Sequence, residues 1–343
     1  MDLLIMNRNN IVAEWINNEL IVLNEKLLPL YISRTHNVEH WLEIRAIDYH
    51  RANSRLLKKA LRLTEKDDVS TVISVNAGTI TDAYWVKPVN SELTYANVRF
   101  DNDYFANLAL RGNYDSFNSA LNHESSKTPE LTNTGSFEKC WKLHNGQWWM
   151  YKKADHNEQF TELFIYELGH ALGMNMAEYV RCDKCVKTKD FTNNASVNFE
   201  PAYSFMEDNE DYLDTVKKLN EFSPGLVTDY VRMIFMDTLV ANPDRHAFNY
   251  GILRDVNTGE ILGFAPNFDN NMALIARGYP KNIARKNDAF VKLFHELLDY
   301  NERYRSLLPN VNEKIIINVL QKLNMKVRSK VIVDFIMNAY RQI

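Results

Sequence analysis

The feature that most constrains the fold of this chain is a polar loop, residues 242–249, between an apolar segment and two β-rich runs. Residues 226–240 are apolar enough for a buried helix, and Asn242-Pro243 is a pair that ends helices. Residues 250–265 contain two strand-like runs around a turn with Gly259. The sequence therefore predicts a rigid helix and a β-hairpin that together present an exposed polar loop.

The predicted hairpin brings distant polar side chains together. Its two ends lie side by side in antiparallel pairing, so Asn249 before the first strand should lie near Asp269 after the second. Asp244 lies on the loop that enters the hairpin. Together they offer one proton acceptor and two hard oxygen ligands, which a phosphoryl-transfer site uses to place a hydroxyl and Mg-bound phosphates.

The same residues admit other interpretations. Asp244, His246 and Asp269 could ligate a transition metal for hydrolysis, because imidazole and carboxylate groups both suit such ions. Asn-Pro-Asp is also ordinary turn chemistry. The residues alone leave a phosphotransferase, a metal-dependent hydrolase and a plain polar turn open.

A second predicted hairpin lies upstream. Residues 137–143 and 147–152 have strand composition, and Asn145-Gly146 between them favours a tight turn. Strand alternation places the neighbouring Lys152 and Lys153 on opposite faces. Only one of these two lysines can therefore point into a site on a given face of the hairpin.

A helix is predicted directly after this hairpin, over residues 158–172, with Asp155 at its cap and Gly173 at its end. Glu162 lies off its main apolar stripe. A strand lysine paired with a glutamate on the next helix fixes an ammonium group against nucleotide phosphates. Without that context, Lys152 and Glu162 also fit ordinary surface charges.

The loop before the hairpin contains Thr134, Gly135 and Ser136. A loop of this kind can turn backbone N–H groups toward phosphate oxygens. It has a single glycine, so a simple polar turn is the better explanation of this loop when it is taken alone.

Taken together, Asp244, His246, Asn249 and Asp269 follow the pattern Asp-x-His-x-x-Asn with a further Asp after a hairpin. In this the chain resembles the HipA-like serine/threonine kinase family, whose catalytic fold is related to protein and phosphoinositide kinases. The resemblance implies an α+β, two-lobed, protein-kinase-like fold. It would have a small mixed β-rich N-lobe, a largely helical C-lobe and an N-terminal accessory region.

The resemblance also implies a role for each residue of the loop. Asp244 would be the base that orients the acceptor hydroxyl, and His246 would support the loop. Asn249 and Asp269 would bind Mg²⁺. All these positions keep the family's chemistry, which favours an active enzyme, while a nucleotide-binding pseudokinase stays open.

For the nucleotide, the resemblance implies Lys152 as the phosphate lysine, with Glu162 as its partner, and the loop Thr134, Gly135 and Ser136 over the phosphates. Residues 177–180 fall where the interlobe hinge should run, so the backbone of Glu178 and Val180 would meet the adenine of ATP. The adjacent Lys153 leaves the choice of phosphate lysine open.

The function implied by the resemblance is an ATP- and Mg²⁺-dependent transfer of phosphate to a Ser or Thr hydroxyl, most naturally on a protein. A toxin-like or regulatory kinase of this type could be held in check by an antitoxin-like, DNA-binding partner. A second form of control would be phosphorylation of its own phosphate loop at Thr132, Thr134 or Ser136. A kinase whose acceptor is a small molecule or a lipid head group stays open as an alternative.

Composition indicates the cellular compartment of the protein and the kinds of partner it could bind. It has 343 residues, 45% of them hydrophobic, with no apolar leader and no run of eighteen apolar residues, so no membrane association is expected. Three cysteines favour a reducing cytoplasm, with Cys182 and Cys185 as thiols in a hairpin turn. The net charge of −4 gives no general attraction to nucleic acid. Lys281, Arg285 and Lys286 fit a solvated loop.

The predicted organisation has two parts. Residues 1–125 form an accessory region or small-lobe extension of short strands and a basic helix, and residues 124–129 are the best linker. Residues 126–343 form the catalytic unit. Within it, 126–180 is the ATP-binding part of the N-lobe and 181–343 the C-lobe.

Overall fold

The structure, a computed structural model, describes residues 2–63, 67–123 and 127–343. The chain divides into two compact units that interleave along the sequence. Unit 1 comprises residues 1–153, 187–200 and 253–262, and unit 2 comprises residues 154–186, 201–252 and 263–343. The predicted boundary at residues 125 and 126, and residues 124–126 of the predicted linker, lie outside the described residues.

Runs of strands and runs of helices follow one another along the chain, in an α+β arrangement. The strands are β1 Leu3–Asn7, β2 Asn10–Ile16, β3 Glu19–Val22, β4 Tyr84–Pro88, β5 Lys139–His144, β6 Gln147–Lys153, β7 Tyr179–Cys182, β8 Cys185–Lys189, β9 Val197–Pro201, β10 Gly251–Asp255 and β11 Ile261–Phe264.

The helices of the described residues are α1 Leu30–Thr35, α2 Val38–Glu43, α3 Ser54–Ala60, α4 Asp68–Ile73, α5 Tyr95–Val98, α6 Ala106–Arg111, α7 Tyr114–Leu121, α8 His156–Ala171, α9 Tyr203–Met206, α10 Tyr212–Phe222, α11 Pro224–Val240, α12 Ala289–Tyr300, α13 Glu313–Leu323 and α14 Ser329–Tyr340. Short 3₁₀ turns occupy Glu25–Leu27, Pro129–Thr132 and Glu302–Leu307. None of the helices in this part of the chain is long and apolar enough to cross a membrane.

Unit 1 contains an antiparallel sheet with the strand order β3-β2-β1-β4. Every residue of β1 is buried, as expected for an interior strand that is apolar along nearly its whole length. Asn17 and Asn18 between β2 and β3 both have positive φ, which matches the twist of a hairpin. The short strands predicted at the start of the chain are confirmed.

The upstream hairpin is also confirmed and lies in unit 1 together with the N-terminal region. β5 pairs with β6 from Lys139 opposite Lys152 to His144 opposite Gln147. Asn145 and Gly146 both have positive φ, as the predicted tight turn requires.

A buried arginine of unit 1 connects its N-terminal residues to the downstream hairpin. The Arg254 guanidinium donates to the carbonyl oxygens of Lys26 at 2.6 Å and Leu28 at 2.9 Å, and to a carboxylate oxygen of Glu200 at 2.8 Å. The hydroxyl of Tyr84 donates to the same Glu200 oxygen at 2.8 Å. Residues 26–28 are therefore bound to the downstream hairpin within unit 1.

Unit 2 is largely helical and is organised around α11, which packs against α10, α12 and α14. The C-terminal end of α11 is bound by Arg285, which is fully buried and donates to the carbonyls of Thr238 at 2.8 Å and Leu239 at 2.9 Å. The solvated loop predicted for Lys281, Arg285 and Lys286 is thus wrong for Arg285, because terminal helix carbonyls need donors.

The cysteine prediction also needs correction. Cys182 and Cys185 lie at the β7–β8 turn as expected, but their sulfurs are joined in a disulfide instead of remaining thiols. Their Cα atoms are 5.0 Å apart, a separation that disulfides accept. Cys140 is a buried free thiol.

Candidate active site

The polar loop 242–249 begins where α11 ends. Ala241 adopts a left-handed conformation, and the N–H of Asn242 donates to the Asp237 carbonyl at 2.9 Å. The Asn242 side chain then donates to the Asp237 carboxylate at 2.9 Å and accepts from the N–H of Asp244 at 3.1 Å. The entry to the loop is therefore fixed to the last turns of a buried helix.

Asp244 lies on a backbone that is held on both sides. Its N–H donates to Asn242, and its carbonyl accepts from the side-chain nitrogen of Asn249 at 2.8 Å and from the N–H of His246 at 3.0 Å. The Asp244 side chain is half-buried. A carboxylate on so constrained a loop can hold an acceptor hydroxyl in one orientation.

Asn249 is buried, and its side-chain nitrogen donates to the Asp244 carbonyl. Because the side-chain nitrogen is the donor, Oδ1 is the atom of this amide that could bind a cation. An amide oxygen is a hard donor of the kind that Mg²⁺ binds.

His246 contributes to the loop itself. Its Nδ1 lies 3.2 Å from the backbone nitrogen of Phe248, whose N–H donates to it. Among the described residues, no three His, Cys, Asp or Glu side chains form a cluster that could hold a metal. The alternative of a transition-metal hydrolase built on Asp244, His246 and Asp269 therefore lacks its ligand cluster.

Asp269 follows β11 in a left-handed conformation with φ of 57°. Its N–H donates to the hydroxyl of Tyr179 at 2.9 Å, and the next N–H, of Asn270, donates to the Glu162 carboxylate at 3.0 Å. A non-glycine residue with positive φ is uncommon and marks a backbone fixed by its surroundings. Two side chains from other elements of unit 2 thus hold the peptide groups around Asp269.

The residue that joins the two segments is Arg245, which the sequence analysis passed over. Its Nη1 donates to the carbonyl oxygens of Asn249 and Phe268, both at 2.7 Å. Those two oxygens therefore lie within two hydrogen-bond lengths of each other. The structure brings the loop that carries Asn249 and the segment that carries Asp269 together, as the hairpin argument predicted.

The charge of Arg245 is matched inside unit 2. The Asp237 carboxylate accepts hydrogen bonds from Nε of Arg245 at 2.8 Å and from Nη2 at 3.0 Å. Burial lowers the pKa of Arg245, but attraction and hydrogen bonding by Asp237, with further attraction by Asp269 and Glu162, outweigh burial and raise this pKa. An acid inside an apolar helix needs a partner, so Asp237 was the signal that could have identified Arg245.

The predicted phosphate loop of unit 1 is shaped by a second buried arginine. The Arg51 guanidinium donates to the carbonyl oxygens of Asn133 at 2.5 Å, Thr134 at 3.3 Å and Gly135 at 3.0 Å. Gly135 has φ of 95°, which only glycine adopts easily. Ser136 is exposed beside it. With its carbonyls bound to Arg51, the loop is ordered by its own unit.

An acid beneath this loop completes its support. One Glu130 oxygen accepts from the N–H of Trp141 at 2.7 Å, and the other accepts from the side chain of Asn133 at 3.1 Å. Burial raises the pKa of Glu130 to about 7, although these hydrogen bonds and the attraction of Arg51 lower it. Glu130 titrates near neutral pH as a result.

The two candidate lysines differ in environment. Lys152 is buried, whereas the Lys153 side chain is 60% exposed and pairs with Glu138 at 3.5 Å. A buried ammonium requires a compensating charge, while an exposed one does not. Burial favours Lys152 over Lys153 as the lysine with a functional role.

The remaining candidates lie at the start of β7. Glu178 is exposed and Val180 is half-buried, on either side of the buried Tyr179. The preceding Ala177 donates its N–H to the Asn267 carbonyl at 3.0 Å. The segment that carries Glu178 and Val180 is therefore hydrogen-bonded to the segment that carries Asp269.

The residues of the loop fit a hard divalent cation. Asn249 presents an amide oxygen and Asp269 a carboxylate, on backbones joined through Arg245. Mg²⁺ takes one or two such protein oxygens together with substrate phosphates, so a larger set of acidic ligands is not required.

Comparison with known proteins supports the fold. No family model and no curated protein sequence matches the chain. A solved structure of Shewanella oneidensis MR-1 HipA, in a toxin–antitoxin complex with HipB and operator DNA, has a TM-score of 0.58 at 12% identity and covers 99% of this chain and 96% of its own. The Helicobacter pylori proinflammatory kinase CtkA has a TM-score of 0.43 at 19% identity and covers 60% of this chain and 89% of its own. The predicted fold class is confirmed, and the chain has the α+β fold of HipA.

Proposed function

We propose that the chain is an ATP- and Mg²⁺-dependent phosphotransferase that acts on a Ser or Thr hydroxyl of a protein. One observation carries the proposal: Arg245 joins the backbone of the loop with Asp244 and Asn249 to the backbone that leads into Asp269. The similarity to the HipA fold supports the proposal, because the residue pattern of the loop 242–249 also resembles that of HipA-like kinases.

Each side chain would act by position. Asp244 would accept a hydrogen bond from the acceptor hydroxyl and align its oxygen, and Asn249 and Asp269 would hold Mg²⁺. When bound, Mg²⁺ offsets the negative charge of the phosphates. His246 maintains the loop through its bond from Phe248. Arrangements of this kind each contribute several kcal/mol to lowering a barrier.

We propose that the nucleotide is held by one lysine, by the loop before β5 and by the backbone at the start of β7. Lys152 is a buried cation, and its proposed role is to bind phosphate with Glu162 as its partner. Thr134, Gly135 and Ser136 would cover the phosphates, and the backbone at Glu178 and Val180 would meet the adenine. We also propose that the protein acts in the cytoplasm, where ATP is supplied, and cell fractionation would test this.

Transfer from labelled ATP to a general acceptor protein tests the proposal. Asp244→Asn and Asp269→Asn should each abolish transfer while leaving the circular dichroism spectrum unchanged, and Lys152→Met should do so where Lys153→Met does not. Asp208→Asn, a change at an exposed acid of unit 2, is the matched control. Normal turnover in folded Asp244→Asn or Asp269→Asn protein would remove the role of that residue. Thermal stabilisation by ATP without any transfer would instead identify a pseudokinase.

Regulation would follow two routes. HipA of the matching structure is bound to HipB and operator DNA, and we propose a DNA-binding, antitoxin-like partner for this chain. Native complexes from the source cells should then exceed the monomer mass and retain DNA, and a monomer free of DNA would contradict this.

The second route is phosphorylation of the phosphate loop. Ser136 is exposed, whereas Thr132 is buried and donates its hydroxyl to the Gly78 carbonyl at 2.6 Å. Phosphate would therefore be added at Ser136 or at the half-buried Thr134. Mass spectrometry after prolonged incubation with ATP should find it there, and an unmodified loop peptide would rule this route out.

A further inference from the structure

We propose that Arg245 is a positioning residue that sets the separation of the two proposed Mg²⁺ ligands, Asn249 and Asp269. This inference rests on the proposed function. Arg245 would act through the peptide groups that carry the two ligands, to which its guanidinium donates.

The geometry of Nη1 is the first step of the argument. One of its bonds goes to the carbonyl of Asn249 itself, and the other goes to the carbonyl of Phe268, the peptide that leads directly into Asp269. Both are 2.7 Å long, which is short for N–H···O bonds and typical of charge-assisted ones. A single nitrogen therefore fixes the backbone of one ligand relative to that of the other.

The rest of the guanidinium prevents that nitrogen from moving. Nη2 donates to the side-chain oxygens of Asn267 at 3.0 Å and Asn270 at 2.7 Å, on both sides of Asp269. Nε and Nη2 also donate to the carboxylate of Asp237, which belongs to the buried helix α11. Only the planar, multiply donating fork of arginine can make these bonds together, so lysine cannot replace it.

Stability alone does not account for this arrangement. A buried ion pair can often be replaced by apolar groups of similar volume without loss of stability. Asn267 and Asn270 add polar groups to the same site, and the side-chain nitrogen of each has no hydrogen-bond partner among the described residues. A site that selects one spacing of two backbones explains why the polar groups are present.

The separation of Asn249 and Asp269 should affect which divalent cation the protein binds. It requires near-ideal octahedral geometry at short distances, whereas Ca²⁺ accepts longer and more variable ones. Loosening the link between Asn249 and Asp269 should weaken Mg²⁺ binding far more than Ca²⁺ binding. A purely structural role of Arg245 would not change that ratio in a folded protein.

The test uses the full chain with ADP and compares wild type with two variants. Arg245→Lys keeps the charge and loses the fork, and the double variant Arg245→Met with Asp237→Leu removes the pair without leaving a lone buried charge. Arg341→Lys, at an exposed ion pair with Glu313, is the matched control. Mn²⁺ binding measured by electron paramagnetic resonance, with Mg²⁺ and Ca²⁺ as competitors, gives each ion's affinity, and hydrogen exchange reports the amides of Asp269 and Asn270.

Both variants should bind Mg²⁺ at least about tenfold more weakly, lower the Mg²⁺-to-Ca²⁺ affinity ratio and exchange these two amides faster, whereas the control should behave as wild type. A folded variant with the wild-type ratio and wild-type exchange would overturn the inference alone. Wild-type protein that binds no Mn²⁺ with nucleotide would overturn the proposed function and this inference with it.

Discussion

Replacement of Glu130 by glutamine should alter how the stability of the protein depends on pH. Glu130 is fully buried beneath the loop of Thr134, Gly135 and Ser136, and burial raises its pKa from 4.5 to about 7. The folded state therefore holds this proton more tightly than the unfolded state. Stability must fall as the pH rises from the unfolded pKa through the folded one.

The magnitude follows from the size of this shift. A difference of about 2.5 in pKa corresponds to about 3 kcal/mol of unfolding free energy, all of which is lost between roughly pH 4.5 and 8. Glutamine keeps an acceptor oxygen for the N–H of Trp141 but has no proton to lose. The wild type should therefore lose about 3 kcal/mol more than Glu130→Gln over this range.

Urea unfolding at intervals from pH 4.5 to 8, followed by tryptophan fluorescence, measures the two profiles. Glu138→Gln is the matched control, because Glu138 lies in the same segment and makes a solvent-accessible pair with Lys153. That variant should parallel the wild type. Parallel profiles for wild type and Glu130→Gln would refute the idea that Glu130 is buried with a raised pKa.

Further expectations concern the supports of unit 2. Arg285→Ala should destabilise the protein by about 3 kcal/mol in urea unfolding, because it leaves the Thr238 and Leu239 carbonyls without their donors, and a loss below about 1 kcal/mol would contradict this. Cys182→Ser with Cys185→Ser should cost about 2 kcal/mol, as expected for a four-residue loop, and the double variant should no longer respond to reductant in the same assay. Tyr179→Phe removes the acceptor of the Asp269 N–H, so that amide should exchange several-fold faster, and unchanged exchange would contradict the bond.

Local pattern was enough to predict much of this molecule. The helix α11 and the hairpins β5–β6 and β10–β11 were predicted because each is specified by neighbouring residues: apolar spacing, a helix-ending pair and glycine-containing turns. Antiparallel pairing of β10 and β11 also predicts that the backbones of Asn249 and Asp269 lie close together, as the bonds from Arg245 show. These predictions required no knowledge of distant contacts.

The supports of the candidate site were not predicted, for a common physical reason. Arg245, Arg51 and Arg285 are buried, and sequence patterns assign arginine to the surface unless a partner is known. Each binds backbone carbonyls, which carry no sequence signal. Cys182 and Cys185 were assigned as thiols because composition indicates the compartment of a protein and not the distance between two sulfurs.

The bonds of Arg254 limit how this protein can be shortened. Its guanidinium takes two carbonyls from residues 26–28, so a fragment that starts at residue 126 would expose an arginine that the full chain keeps inside. Such a fragment would also lack the hydroxyl of Tyr84 that binds Glu200. Biochemical work on the proposed catalytic residues should therefore retain the N-terminal residues, since removing them takes away part of the framework on which the downstream hairpin is built.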